Sequence, residues 1–330
     1  MKIVRFTEYG PPDRVCECVE VADCGAPGAG EVVVEIMASA INPADLLMIE
    51  GRYPGPVPPA PLGIEGAGRV AALGPGVTGL AEGDHVMVME RANWAQRVRV
   101  PAARVVRLPR ELSFADAAML KANPPSAELM LSDYVALQAG DWVIQNAANS
   151  AVGRHVIRLA RDRGVKTANV VRRESLVGEL EALGADLVVV DGEDLAGRVR
   201  AAAGADAPIR LALDAAGGDS CQRLADCLSD GGTIVNYGFL SGEPCKVTPS
   251  HLVVHGLSLT GFWLVGFMQR ATPAEIQAMY DDMAAKFIDG TLQVPVEASY
   301  PIAEAKAAMA HAMREGRDGK IILLPNGPLD

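Results

Sequence analysis

An α/β fold in two parts, a β-rich portion joined to a doubly wound parallel sheet, is what this 330-residue sequence predicts. Three observations predict it. Through the middle of the chain, short apolar runs alternate with helical patterns, the succession that builds a parallel sheet with helices on both faces. Residues 1 to about 117 instead carry strand patterns broken by Gly- and Pro-rich turns. The chain ends in an apolar strand pattern, Lys-Ile-Ile-Leu-Leu at 320–324, which needs a sheet partner and is expected to return to the β-rich part.

In the β-rich part, strand patterns fall at residues 31–37, 68–73, 85–89 and 97–100, with turns at 28–30, 74–79 and 82–84. A compact, partly open barrel accommodates them. Between the first two strands lies SAINPADLLMIEGRYPGPVPPAPLGIEGAG, dense in proline and glycine. Loops of that length are usually functional or disordered, and the apolar content of this one predicts an ordered loop lining a site.

From about Phe114 a helical pattern runs through Ala118, Leu120 and Met130. The unit that follows, at 141–173, organises the rest: a strand at 142–144, a turn of small residues, a helix carrying Val152, Val156, Ile157, Leu159 and Ala160, and a second strand ending at Val171. Dinucleotide-binding turns carry Gly-x-Gly-x-x-Gly so that the backbone can bend, approach a pyrophosphate and let helix pack on strand. Ala148, Ser150 and Gly153 stand at those spacings, so the fingerprint is degenerate. Arg172 and Arg173 follow the second strand, where an NAD site places an acid and where arginine accommodates a 2′-phosphate. The pattern predicts NADPH; the alternative is a solvated arginine pair in a cofactor-free α/β domain. Helices and strands then alternate, with strands ending at Asp191 and Asp214, a strand TIVNYG, and a strand at 257–264. A helix at 272–289 opens with Thr-Pro-x-Glu, and a last helix covers 303–313.

Composition excludes several classes. The length suits two domains, and 49% hydrophobic with 22% charged residues suits a globular protein with sizeable cores. A net charge of −11 argues against nucleic acid and against an anionic membrane surface as partners. No apolar signal region opens the chain and no apolar stretch is long enough for a bilayer, so a cytoplasmic protein is expected. The cysteines, Cys16, Cys18, Cys24, Cys221, Cys227 and Cys245, are too sparse for a disulfide framework and are expected to be reduced.

A β-rich domain, an inserted doubly wound domain and a C-terminal return resemble the medium-chain dehydrogenase/reductase superfamily over essentially the whole chain. The resemblance implies a GroES-like partly open β-barrel catalytic domain at 1–117 and 266–330 and a Rossmann cofactor domain at 118–265. Zinc-dependent members carry a cysteine in the passage held here by Asn42-Pro43-Ala44-Asp45 and a His-Glu pair where this chain has Ile64-Glu65. A catalytic zinc needs three protein ligands, so no metal is expected. INPADLLMIEGRYP, LKANPPSA, VIQNAANSAVG, NVVRR and GFWL, in that order, are similar to the zinc-free 2-enoyl thioester reductases of mitochondrial type, near the quinone oxidoreductases. Glu128 departs from the relatives, which often have an aromatic residue or arginine there.

That resemblance implies NADPH-dependent reduction of the C2–C3 double bond of an enoyl thioester on CoA or acyl-carrier protein, within fatty acid metabolism. Such chemistry delivers hydride to the β-carbon, stabilises an enolate on the thioester oxygen and protonates the α-carbon. Tyr53 in Gly51-Arg52-Tyr53 matches the family tyrosine of substrate orientation or proton delivery; its alternative is a loop tyrosine packed on Pro54, Pro56, Pro58 and Pro59. Asn42 faces nicotinamide or substrate, or else is an Asn-Pro turn former. Trp263 lies beside the substrate, or packs in a core. Asn123, Asn149, Ser150, Ala151, Val152, Gly153, Arg172, Arg173, Tyr237, Gly238, Phe262 and Trp263 are the expected cofactor contacts. A homodimer is expected through the strand at 257–264. The rival readings are a quinone or enone reductase and a non-catalytic NADPH-binding protein.

Overall fold

The structure, a computed structural model, describes residues 1–329. It divides into two compact units, Met1–Ala122 together with the segment from Ala271 onward, and Asn123–Arg270. The divisions at 122/123 and 270/271 lie five residues beyond the expected 117/118 and 265/266.

The first unit opens with β1 (Lys2–Phe6), the one-turn α1 (Pro12–Val15) and β2 (Cys16–Glu20). There follow β3 (Glu31–Ala40), α2 (Pro43–Ile49), β4 (Ala60–Pro61), β5 (Ala67–Leu73), β6 (His85–Val88), β7 (Arg97–Pro101), β8 (Val105–Arg107) and the short α3 (Phe114–Ala117). In the second unit α4 (Asn123–Ser132) leads to β9 (Trp142–Gln145), α5 (Ala151–Asp162), β10 (Lys166–Val171), α6 (Val177–Leu183), β11 (Leu187–Val190) and α7 (Leu195–Ala203). Then come β12 (Ile209–Asp214), α8 (Gly218–Ala225), β13 (Thr233–Asn236), β14 (Ser258–Gly261) and α9 (Leu264–Met268). The chain returns to the first unit with α10 (Pro273–Ile288), β15 (Val296–Pro301), α11 (Ala305–Met313) and β16 (Lys320–Leu324).

The first unit holds two sheets. One runs β2-β1-β4, and the other runs β15-β16-β3-β5-β6-β8 with β7 pairing β3. β3 is ten residues long and pairs antiparallel with β5, β7 and β16, so it spans both halves of the sheet. Alternate apolar positions make the core: Val32, Val34, Ile36, Val70, Val86, Val88 and Val100 pack together under the barrel. A second cluster joins Phe6, Met48, Ile49, Leu62 and Trp94 to Met309, Ile321 and Leu323 from the chain's last segment.

The passage expected as an irregular loop contains α2 instead. Asn42 is its N-cap, Pro43 takes N1, and the Asp45 Oδ2 at N3 accepts the Asn42 backbone N–H at 2.9 Å. These start signals stand in the sequence, but the proline density downstream masks them. Five further strands, β1, β2, β4, β8 and β15, lie outside the expected ones: β4 and β8 are only two and three residues long, and β1 and β2 lack the clean alternation that marks a half-buried strand.

In the second unit six parallel strands run in the order β11-β10-β9-β12-β13-β14. Numbered from β9, that is 3-2-1-4-5-6, the dinucleotide-binding order whose reversal point lies between β9 and β12. The strand expected at 257–264 is shorter, four residues at Ser258–Gly261, because the chain turns into α9 at Leu264.

Candidate active site

The first unit buries an ionic network around Asn42. The Asn42 Nδ2 donates to Glu65 Oε2 at 2.6 Å, and the Lys320 ammonium donates to Asn42 Oδ1. The other Glu65 oxygen, Oε1, accepts the Ala122 N–H at 2.8 Å. Asp45 spends both oxygens on backbone, Oδ2 on Asn42 and Oδ1 on the Ile64 N–H at 3.0 Å. Lys121 Nζ donates to the carbonyls of Ile64 and Glu90 at 2.6 and 3.0 Å, and Asn93 Nδ2 reaches the Gly63 and Glu90 carbonyls at 3.1 and 2.8 Å. Asp45, Glu65 and Asn93 are wholly buried, and Lys121 and Lys320 nearly so. Two acids and two bases therefore share one water-poor region, where unpaired charges would be costly. Burial pushes the Asp45 carboxyl up to about 7 against the two N–H groups that oppose it. Burial likewise draws Lys121 down to about 8 and lowers Lys320.

Asn42, expected to face a cofactor or substrate or else to form an Asn-Pro turn, opens α2 as its N-cap. Its side chain is buried, with the carbonyl end on a lysine and the amino end on a glutamate. It anchors the start of α2, and through α2 the turn that follows. Tyr53 lies four residues beyond that helix, half-buried, its ring packed on the cluster that contains Met48 and Ile49. Gly51, at φ +74, makes the intervening turn.

The residues at the zinc-ligand positions do not fit zinc. Ile64 offers no donor atom, and Asn42 Oδ1 already faces an ammonium. A dication here would also meet the charges of Lys121 and Lys320.

In the second unit the strand ends after β9, β12 and β13 build a cradle. Ser150 caps α5, its Oγ accepting the Gly153 N–H at 3.2 Å, and the N-terminus of this twelve-residue helix presents N–H groups suited to a phosphate. A side chain at 153 would force the backbone to shift: its Cβ would stand 2.4 Å from the Ala148 carbonyl oxygen. That is the third-glycine requirement of close helix–strand packing, met although the first two glycines are Ala148 and Ser150. Gly238 is constrained in the same way, since a Cβ there would come within 2.5 Å of the Ala215 oxygen. The Tyr237 hydroxyl lies beside Ser150, and burial raises its pKa well above the usual tyrosine range. Val152 is buried at the first turn of α5, while Asn149, Ser150 and Ala151 are half-buried at the rim.

Arg172 and Arg173 are exposed just past the end of β10. Asn123 starts α4. Phe262 lies edge-on to Tyr134 at 6.5 Å, Tyr134 holds the Gly261 carbonyl at 3.0 Å, and Trp263 is half exposed at the start of α9. The structure thus gathers Ser150, Gly153, Tyr237 and Gly238 at the strand ends of one unit, and places Asn42 and Tyr53 in the other.

Sequence reasoning missed the polar residues beneath both sites. Asn146 donates to Asp214 Oδ1 at 2.6 Å and accepts the Ala215 N–H at 2.7 Å, and Asn236 donates to Asp214 Oδ2 at 2.9 Å. Gln145 donates to the Gly153 carbonyl at 2.9 Å and to Asn169 Oδ1 at 2.7 Å. Polar residues closing apolar strands, as in WVIQN and IRLALD, and a lysine opening KIILL were the available signals.

A six-stranded parallel sheet in nucleotide-binding order, a capped helix at its reversal point and a β-rich unit whose residues 42, 64 and 65 do not fit zinc define a dehydrogenase/reductase of the zinc-free kind. Likeness to known proteins carries this further. Residues 28–110 match the alcohol dehydrogenase GroES-like domain and residues 151–285 match the zinc-binding dehydrogenase family. A mitochondrial enoyl-acyl-carrier-protein reductase of Caenorhabditis elegans is 38% identical over 86% of this chain and 83% of its own. One from Dictyostelium discoideum is 35% identical over 97% of this chain and 93% of its own. The Escherichia coli quinone oxidoreductase solved with NADPH has a TM-score of 0.88 at 26% identity, covering 98% of this chain and all (100%) of that one. The chain belongs to the medium-chain dehydrogenase/reductase family, and within it to the enoyl-acyl-carrier-protein reductases. These relatives are named as mitochondrial, which overturns the cytoplasmic location expected from the sequence.

Proposed function

We propose that the chain reduces the C2–C3 double bond of 2-enoyl thioesters, carried on CoA or acyl-carrier protein, with NADPH as hydride donor. The observation that carries the reading is the near full-length likeness to relatives that bear this activity in their names. NADPH, when bound, supplies the hydride to the β-carbon. The chain's own residues hold the cofactor and manage the charge and the proton. Ser150 and the α5 N-terminus receive the pyrophosphate, Gly153 and Gly238 let backbone approach it, and Arg172 with Arg173 faces the 2′-phosphate. Asn149, Ala151, Val152 and Tyr237 complete the cradle, with Asn123, Phe262 and Trp263 as further contacts on the same unit.

Tyr53 donates its hydroxyl hydrogen bond to the thioester oxygen as the enolate develops, and orients the substrate for protonation at the α-carbon. Trp263, half exposed, offers an aromatic wall for the acyl chain. Asn42 acts at one remove: gripped by Glu65 and Lys320, it fixes the helix that leads to Tyr53.

A homodimer accompanies this reading. β14 is the last strand of its sheet, all four of its residues are exposed, and Val253 and Val254 beside it are 82% and 72% exposed. An exposed, unpaired sheet edge of this kind is stabilised by pairing with its twin. A monomeric mass at micromolar concentration removes that part.

The test of the activity is loss of NADPH absorbance with crotonyl-CoA. Turnover of a quinone and none of crotonyl-CoA would favour the second reading, a quinone oxidoreductase, which the likeness to the Escherichia coli enzyme supports. Turnover of neither would leave a cofactor-binding protein without this chemistry.

A further inference from the structure

Beneath the strand ends of the second unit three metal-ligating side chains converge that the proposed chemistry does not use. Asp214, Cys221 and Cys245 each bring a ligand atom to within 4.8 Å of the other two. Asp214 closes β12, Cys221 lies in the first turn of α8, and Cys245 sits on the segment after β13. That segment is tied down: the Gly218 N–H donates to the Pro244 carbonyl at 3.0 Å, and Gly218 and Cys245 form a parallel bridge. Cys245 Sγ donates to Asp214 Oδ2 at 3.7 Å. An oxygen and a sulfur bound to one tetrahedral zinc stand about 3.5 Å apart, so this pair needs almost no movement to share an ion.

We infer that Asp214, Cys221 and Cys245 form a binding site for a thiophilic divalent cation, zinc or cadmium, whose occupancy weakens cofactor binding. Two thiolates and one carboxylate match the preferences of such an ion, with a fourth position left for water. Asp214 is wholly buried, and its partners are neutral donors: Asn146, Asn236 and the N–H groups of Ala216 and Gly217. A cation there supplies the countercharge that no lysine or arginine provides to it among the described residues. Each thiol gives up its proton when it coordinates the ion. The site is separate from the zinc positions around Asn42, which lie in the other unit.

The coupling follows from the second role of Asp214. The same carboxylate sets Asn146, Asn236 and the turn at Ala216–Gly217, and the Tyr237 N–H bonds its carbonyl at 2.9 Å. An ion drawing on Oδ2 competes with Asn236 and the Gly217 N–H and shifts the strand ends on which Tyr237 and Gly238 ride. This step rests on the proposed cofactor reading, whereas ion binding does not.

The experiment titrates the purified full chain with cadmium, kept reduced by a phosphine, and records the thiolate-to-cadmium charge-transfer absorbance and the protons released. One ion per chain, two protons and a band lost in both Cys221→Ser and Cys245→Ser are expected, with Cys24→Ser unchanged and the affinity of the two variants lowered at least about tenfold. A parallel fluorescence titration with NADPH should show weaker binding in cadmium, restored by a chelator and insensitive to cadmium in Cys245→Ser. No band at stoichiometric cadmium, or a band retained in both variants, overturns the site. A band without any effect on NADPH binding overturns the coupling. Failure of NADPH to bind even without metal defeats the cofactor reading and leaves the site to be judged by the band alone.

Discussion

The Asn42 amide donates to Glu65 at 2.6 Å while its carbonyl accepts from Lys320, 278 residues further along the chain. An asparagine that begins a helix is thereby held between two buried charged side chains. Removing Lys320 leaves the buried Asn42 carbonyl without its charged donor, at about 1–3 kcal/mol. Lys320→Met should lower stability by that order, read from the urea midpoint of the first unit's transition.

Asp45 predicts a pH dependence. Its folded pKa of about 7 stands above the roughly 3.9 of an unfolded chain, so between those values the folded state keeps a proton the unfolded state has released. Its contribution is full below about pH 4 and is lost as pH rises toward 7. Asp45→Asn should flatten this part of the stability profile, at the expense of one acceptor for the Asn42 or Ile64 N–H. Parallel slopes in variant and parent from pH 4 to 7 would count against a protonated Asp45.

Tyr53→Phe removes one donor from the developing enolate and keeps the ring on the cluster that contains Met48 and Ile49. Turnover of crotonyl-CoA should fall about a hundred- to a thousandfold. NADPH affinity, measured by fluorescence, should stay unchanged because the cofactor cradle belongs to the other unit. Equal loss of both would make Tyr53 a packing residue.

Arg172→Ala should narrow the preference for NADPH over NADH. A lost charge-assisted contact costs about 1.5–3 kcal/mol, or roughly ten- to a hundredfold in affinity. Equal affinity for both cofactors in the unaltered protein would remove the assignment.

Gly153→Ala forces a methyl onto the Ala148 carbonyl, backbone that cannot swing aside. Strain of about 1–3 kcal/mol should appear in thermal unfolding, together with weakened NADPH binding, since the first turn of α5 must shift. Gly178→Ala, in α6 where an added Cβ meets nothing within 4 Å, is the control and should bind NADPH as the parent does.

Much of this was legible from residues alone. The alternation of strand and helix after Trp142 gave the parallel sheet because its strands are buried on both faces and read as apolar runs. Gly153 was legible as the surviving glycine of a degenerate fingerprint, and the structure supplies the reason it survives. What stayed hidden was set by contacts distant in sequence. Lys320 reads as a polar residue at a strand start until Asn42 and Glu65 stand beside it. Asp214 reads as a turn acid until Asn146, 68 positions earlier, meets it. The helix after Asn42 was concealed differently, by prolines that follow it and dominate the local composition.

The position of β16 in its sheet has a consequence for the order of synthesis. It lies between β15 and β3, pairing Ile322 with Ala40, and it brings Lys320 to Asn42. A chain emerging from the ribosome therefore makes the first unit's early strands but cannot finish their sheet until β16 appears. The second unit, continuous from Asn123 to Arg270, is complete before then. During that interval the end of β3 and the Asn42 side-chain carbonyl await their partners, which leaves an unpaired strand end exposed in the nascent first unit.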